Sequence, residues 1–424
     1  MRVPVPSRRA VLTGAAALVL GGALPRLALS QNTPAVPTPA GRLLKVGTAD
    51  RIELAGSDPV SLFDGALPGP ILRVKRGQPL SVAVANGLSG PLDITWHGVR
   101  LPNALDGVPG LTGPAIAAGE TRDIRFAPPD AGTFWYHAFD GVLTRRALAG
   151  ALIVEEETPA AFGADHVMLL QTWGVDATTQ MPVITVNGAV SPTLEAPAAS
   201  RARLRLINAS PEFLPLRVAE TQSWVMAIDG QPVTPFVLKD GRMQLVPGGR
   251  IDLAMDINLN GASANPINVQ VELLRGPIEL ALIAPVGGSN TPAPASTPQA
   301  LPANPLPSDI PLQGAVRAEL AIGVAPADLA RIPVLSTVPV GKSLVFALNN
   351  TSEVPVAVHF HGMPVRLLDG ADDGWKPWWH DTVPVPAKRT VRVAVRPDTP
   401  GKWAIIARAA GTGEAVAAAA YEVK

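Results

Sequence analysis

Apolar positions recur along this chain in short alternating runs rather than in helical stripes. Between residues 43 and 156 such runs fall at 80–85, 121–126 and 149–154, with Gly and Pro turn positions between them, which is the pattern of a β-sandwich. The texture repeats from His166 to about Pro285. There Arg203-Leu204-Arg205-Leu206-Ile207 and Arg250-Ile251-Asp252-Leu253-Ala254-Met255 alternate charged and apolar positions, predicting strands with one polar and one buried face. A third set of runs follows at 343–347, 354–360, 391–395 and 403–407, and no long amphipathic helix competes with it. Residues 286–312 are rich in Pro, Ala, Ser and Thr without apolar periodicity, which predicts an extended, poorly packed linker before the third unit. The expected fold class is all-β, with three consecutive sandwiches.

Length and composition agree with that division. A chain of 424 residues is too long for one core, and 47% hydrophobic against 17% charged residues, with 39 Gly and 45 Pro, suits short buried strands joined by tight turns. The N-terminus adds a destination. Ser7-Arg8-Arg9-Ala10-Val11-Leu12 leads into an apolar stretch ending at Leu24, which is short for a bilayer span and positively charged on its leading side. Arg8 and Arg9 therefore mark residues 1–30 as a twin-arginine export signal, and Ala28-Leu29-Ser30 supplies the small residues for cleavage before Gln31. The expected location is the periplasm, reached in the folded state through the twin-arginine translocase, with no stable transmembrane anchor. Removing the segment leaves 31 basic against 35 acidic side chains, a balance that gives no footing for nucleic acid. The chain has no cysteine, so disulfides and every thiolate-based metal or catalytic site are excluded.

Candidate chemistry concentrates in histidine. Of six histidines, four stand in distinctive surroundings: Thr95-Trp96-His97-Gly98, Trp135-Tyr136-His137-Ala138-Phe139 and His359-Phe360-His361-Gly362. Strand alternation points His359 and His361 the same way, and two neutral imidazoles so placed suit copper, zinc, nickel or iron. His166 and His380 have no partner histidine nearby in sequence and read as core or surface residues. Trp375, Trp378 and Trp379 read as packing or domain-interface residues, with a partner or sugar-binding surface as the alternative.

These segments resemble the multicopper oxidases. Pro68-Gly69-Pro70, Asp106-Gly107, Gly132-Thr133-Phe134-Trp135-Tyr136-His137, Val186-Asn187-Gly188, Asp229-Gly230, Asp381-Thr382-Val383 and Pro400-Gly401-Lys402-Trp403 follow the family's order over nearly the whole mature chain. The resemblance implies three cupredoxin-like Greek-key β-sandwiches at 31–157, 158–285 and 313–424. It also implies a three-copper cluster fed by two His-x-His pairs from the first unit and two from the last. Carried over residue by residue, the first pair is Thr95 and His97, the second His137 and Phe139, the third His359 and His361. The run matching the cysteine and its flanking histidines is Ile406-Ala407-Arg408. The position of a mononuclear-copper histidine holds Val356, and an Ala-rich strand replaces that centre's downstream His and Met.

What remains is His97, His137, His359 and His361. Four imidazoles suffice for one copper or zinc ion. They can equally persist as hydrogen-bonded packing residues at a domain interface, with Arg408, Asp106 or backbone carbonyls in the place of metals. Arg408 argues against an ion, since a unit charge about 4 Å from a divalent cation repels it by roughly 8 kcal/mol at an effective dielectric near 20. The resemblance extends to the family's copper-free, twin-arginine-exported members, among them a septal cell-division protein. It implies a non-enzymatic envelope scaffold or binding protein without cofactor, whose partner is an envelope or division-machinery protein. The alternatives are a residual one-copper protein and an atypical copper-dependent oxidoreductase.

Overall fold

A computed structural model describes residues 41–51, 54, 58–219, 221–257, 266–287, 296–368 and 375–424, with the side chains of residues 375 and 376 left out. Arg8, Arg9 and the rest of residues 1–30, the segment expected to direct export, lie outside the described residues. The strands form six sheets in three successive pairs. The first pair consists of two four-stranded sheets and encloses a core around Phe63, Trp96, Phe134 and Tyr136. The second pair has six and five strands around Leu204, Leu206, Leu253 and Met255, and the third has two five-stranded sheets around Phe346, Phe360, Trp403 and Tyr421. The alternating runs of the sequence become strands such as Leu80–Asn86, Thr121–Phe126, Ala149–Glu155 and Thr390–Val395. Among the described residues, no helix is long and apolar enough to cross a membrane.

The charged positions of the second unit depart from the expected solvent-facing polar side. Arg203 and Arg205 on the strand Ser200–Asn208, and Arg250 and Asp252 on the strand Arg250–Ile257, are all buried. The reason is that this face lies against the first unit. Arg203 donates to Asp252 at 2.6 and 3.1 Å and to Glu156 at 2.8 Å, while Arg205 donates to Asp165 at 2.7 and 2.8 Å. Thr133, on the fully buried strand Gly132–Ala138, joins the two halves: its hydroxyl accepts from Arg205 at 3.0 Å and donates to Asp252 at 2.7 Å. Buried charge survives here because every guanidinium meets a carboxylate with good geometry. Beside the network, Trp135, Ala151 and Ile153 pack against Val167, Leu169 and Ile207, so the first two units share a small apolar core.

The linker also departs from expectation. Beyond Val286, which ends the strand Gly276–Val286, its described part has no strand, as its composition predicts, yet it is packed. Leu301 and Ile310 are buried, and Asn304 exchanges hydrogen bonds of 2.8 Å with the backbone of Ala131 and donates to Gln231 at 2.9 Å. Proline removes backbone donors and pre-sets an extended path, so a chain too irregular to show periodicity can still seat single apolar side chains on its neighbours.

Candidate functional site

The site forms where one sheet of the first unit faces one sheet of the third. In the first unit the strand Ile94–His97 pairs antiparallel with Gly132–Ala138, setting Thr95 opposite His137 and His97 opposite Trp135. In the third unit the strand Val356–Phe360 lies between Thr382–Val385 and Gly401–Ala409, setting His359 beside Thr382 and Ile406, and Ala357 beside Arg408. His361 follows the end of its strand, and its ring lies 4.5 Å from that of His359, on the same side as the alternation predicts. Thus all four sequence-selected histidines converge. His97 and His359 stack across the interface with centroids 3.6 Å apart, His97 Nδ1 lies 3.2 Å from His137 Nε2, and Trp135 stacks on His137 at 4.0 Å.

Each imidazole is held from behind. His137 Nδ1 meets the Ala138 carbonyl at 2.6 Å, His359 Nδ1 the Asp381 carbonyl at 3.1 Å, and His361 Nδ1 the Asp106 carboxylate at 3.1 and 3.2 Å. A ring nitrogen facing a carbonyl carries the proton, which leaves Nε2 as the acceptor. His97 Nε2 bonds the Thr382 hydroxyl at 2.8 Å. Among the described residues, no hydrogen bond occupies Nε2 of His359 or His361. Burial pulls the His97 pKa down to about 4, against a smaller opposing pull from Asp381. Burial likewise holds His137 and His359 well below the ordinary imidazole range, reinforced by the neighbouring ring of His97. His97, His137 and His359 are therefore neutral at physiological pH.

Two residues outside the four-histidine set complete the arrangement. Burial alone would raise the Asp381 pKa, but the guanidinium of Arg250 overrides it and holds the carboxyl well below its usual range. The pair is bidentate, at 2.7 and 2.5 Å, and Arg250 also lies 3.6 Å from Asp229. His97 Nε2 is 3.4 Å from the same Asp381. This packing explains the glycine after His97: a Cβ on Gly98 would lie 2.2 Å from Arg250 Nη2 and 2.3 Å from Asp381 Oδ2, at a φ of +81°. Asp381-Thr382 stood among the motif residues without a role. Arg250 came from the second unit, and only the three-dimensional meeting of all three units reveals it.

The remaining sequence-selected positions are apolar or polar packing. Thr95 is buried, Phe139 packs against Val108, Ala404 and Ile406, and Val356 and Ala407 lie in the core of the third unit. Arg408 lines the pocket but does not reach freely across it, because Nη2 donates to the Phe139 carbonyl at 2.8 Å and Nη1 to that of Gly413 at 3.2 Å. Its remaining exposure faces the pockets that it lines, and burial lowers its pKa to about 10. His166 is a core residue bonded to the Glu195 carbonyl at 3.0 Å, and His380 lies 3.5 Å from Asp229. Trp378 stacks on Phe236 of the second unit at 5.2 Å and Trp379 is buried under Arg366, the packing role expected of them; the side chain of Trp375 lies outside the described residues.

Comparison with known proteins agrees with this architecture. Family models described as Multicopper oxidase match residues 46–159 and 311–406. Copper resistance protein A of Escherichia coli is 36% identical over 125 residues, 29% of this chain and 21% of that protein. The chain spans less than a third of the length of this and the next two such relatives. Multicopper oxidase MmcO of Mycobacterium tuberculosis is 24% identical over 83% of this chain and 81% of its own. The crystal structure of a multi-copper oxidase from Pseudomonas thermotolerans superposes with a TM-score of 0.80 and 30% identity, covering 92% of this chain and 100% of that one. With its three paired sheets and four of its histidines gathered between the first and last of them, the chain belongs to the multicopper oxidase family.

Proposed function

We propose that this chain is an exported, non-enzymatic envelope scaffold or binding protein that uses the multicopper oxidase fold without a type 1 copper or a complete three-copper cluster. The observation that carries this reading is the Arg250–Asp381 ion pair set directly against the stacked His97 and His359. The residues present do not fit the family's copper set: the chain has no cysteine, and only four of its six histidines reach the site. Thr95, Phe139, Ile406 and Arg408 occupy positions where the resemblance places ligands.

A second reading, one residual copper ion, draws on the proximity of four imidazoles and on the relatives named copper resistance protein A. Its tightest ligand group would be His97, His359 and Asp381, whose donor atoms lie within 4.8 Å of one another. The geometry weighs against it. Two rings stacked 3.6 Å apart aim their lone pairs along nearly parallel planes, so a metal about 2.0 Å from both nitrogens lies well out of the plane of at least one. Asp381 is already bidentate to a guanidinium, and a divalent ion beside Arg250 meets a permanent like charge.

The role in the envelope, including support of division, rests on the resemblance alone. A deletion strain challenged with envelope stress tests it, complemented by the wild type or by a His359→Gln, His361→Gln double variant. Equal rescue is expected; loss of rescue by a variant of unchanged thermal stability would argue for the residual-metal reading. Purified protein given copper is expected to turn over neither phenols nor cuprous ion.

A further inference from the structure

Beneath the histidine cluster the pocket carries two neighbouring cationic groups, Arg145 and Arg408, the latter lying over the Phe139 ring at 6.0 Å. Arg408 is bonded only to the two backbone carbonyls already described, and among the described residues neither it nor Arg145 has a carboxylate within ion-pair distance. Arg145 closes the short helix Gly141–Arg145, and its field acts against the charge on Arg408. The two are side by side: Nη1 of Arg408 and Nη1 of Arg145 lie 2.7 and 3.6 Å from the point a Cβ on Gly141 would occupy. Asp140, the acid whose field favours Arg408, spends one carboxylate oxygen on the helix cap, accepting from Val142 N at 2.7 Å, and is exposed, as is Glu414 in the outer groove.

Position makes the pair useful. Arg145 and Arg408, with Phe139, Gly141 and Gly413, line both the outer groove and the inner histidine pocket, so they stand at the passage between the two. Inside, Thr95 lines the pocket and its buried Oγ1 has no hydrogen-bond partner. The rest of the inner wall includes Trp135, Phe139, Ala357 and Ile406. Adjacent guanidinium groups without carboxylates attract an anion, and a planar fork suits a carboxylate. A wall whose accessible surface is mostly apolar disfavours a strongly hydrated inorganic ion and suits an apolar body.

We propose that this pocket binds a small organic carboxylate, its charged end between Arg145 and Arg408 and its apolar body against Trp135, Phe139 and Ile406. The assignment rests on the copper-free reading, since a metal in the cluster would claim the same space. The test titrates benzoate, and separately inorganic phosphate, into the full exported chain by calorimetry after its metal content has been measured. Saturable one-to-one binding of benzoate is expected, weakened at least about tenfold by Arg408→Gln and by Arg145→Gln. Arg145 is exposed, so its variant keeps the test open if Arg408→Gln fails to fold. Phosphate is expected not to bind. Absence of benzoate binding to metal-free protein, binding that both variants leave unchanged, or phosphate binding as tight as benzoate overturns the proposal. Copper in the preparation would instead sink the reading beneath it, so the two failures are distinguishable.

Discussion

Lowering the pH from 7 to 5 should destabilise this protein chiefly through the histidine cluster, with about 2 kcal/mol from His97 alone. In the unfolded chain each imidazole titrates near 6.5. In the folded protein burial brings His97 down to about 4 and holds His137 and His359 well below the ordinary range. Between the folded and unfolded values the unfolded chain binds more protons, so stability is full above about pH 6.5 and falls as the pH drops through the window. The linkage relation makes the loss about 2 kcal/mol for His97 at pH 5 relative to pH 7, and His137 and His359 add to it in the same direction. Asp93 works the other way: burial raises its carboxyl to about 6, so the folded state gains protons over the same interval and recovers about 1 kcal/mol. His166, lowered by its own burial, adds to the loss, and the depressed Asp381 loses its contribution only below the window. The assay is urea unfolding followed by tryptophan fluorescence at both pH values. His137→Gln should shrink the pH-dependent loss, and Asp93→Asn should enlarge it by about 1 kcal/mol. Equal stability at the two pH values, or a loss untouched by His137→Gln, would refute the account of a cluster buried in its neutral form.

Asp381→Asn leaves Arg250 buried beside a neutral partner and is expected to cost about 3 to 5 kcal/mol, read as a lowered unfolding midpoint; a change below about 1 kcal/mol would mean that the pair is not what holds the interface. Gly98→Ala places a Cβ against both members of that pair at a left-handed φ, and should cost at least about 2 kcal/mol in the same measurement. Thr133→Val strips the hydroxyl that joins Arg205 to Asp252, with an expected loss of about 1 to 3 kcal/mol that thermal unfolding would detect.

The strands were legible because alternation is a local property. The run at 121–126 becomes the strand Thr121–Phe126, and 391–395 falls within Thr390–Val395. The histidines were legible for a different reason: a family resemblance fixes which residues meet, and two positions apart on one strand fixes their direction. What alternation could not show is which polar face has a neighbour. Arg203, Arg205 and Arg250 look like solvent-facing charges in sequence, yet their carboxylates come from residues tens to more than a hundred positions away. The same limit hid the neighbouring Arg145 and Arg408 at the pocket entrance, which lie on a short helix of one unit and a strand of another. Leu301 and Ile310 show it for the linker, since single apolar anchors in an irregular segment leave no period to read.

The central claim is that a fold built around copper in its relatives carries in this chain a buried histidine cluster held by the Arg250–Asp381 pair. Elemental mass spectrometry on protein purified from cells grown with added copper tests it most directly. The account predicts no stoichiometric copper or zinc. One or more metal ions per chain, lost together with His359 and His361, would contradict it.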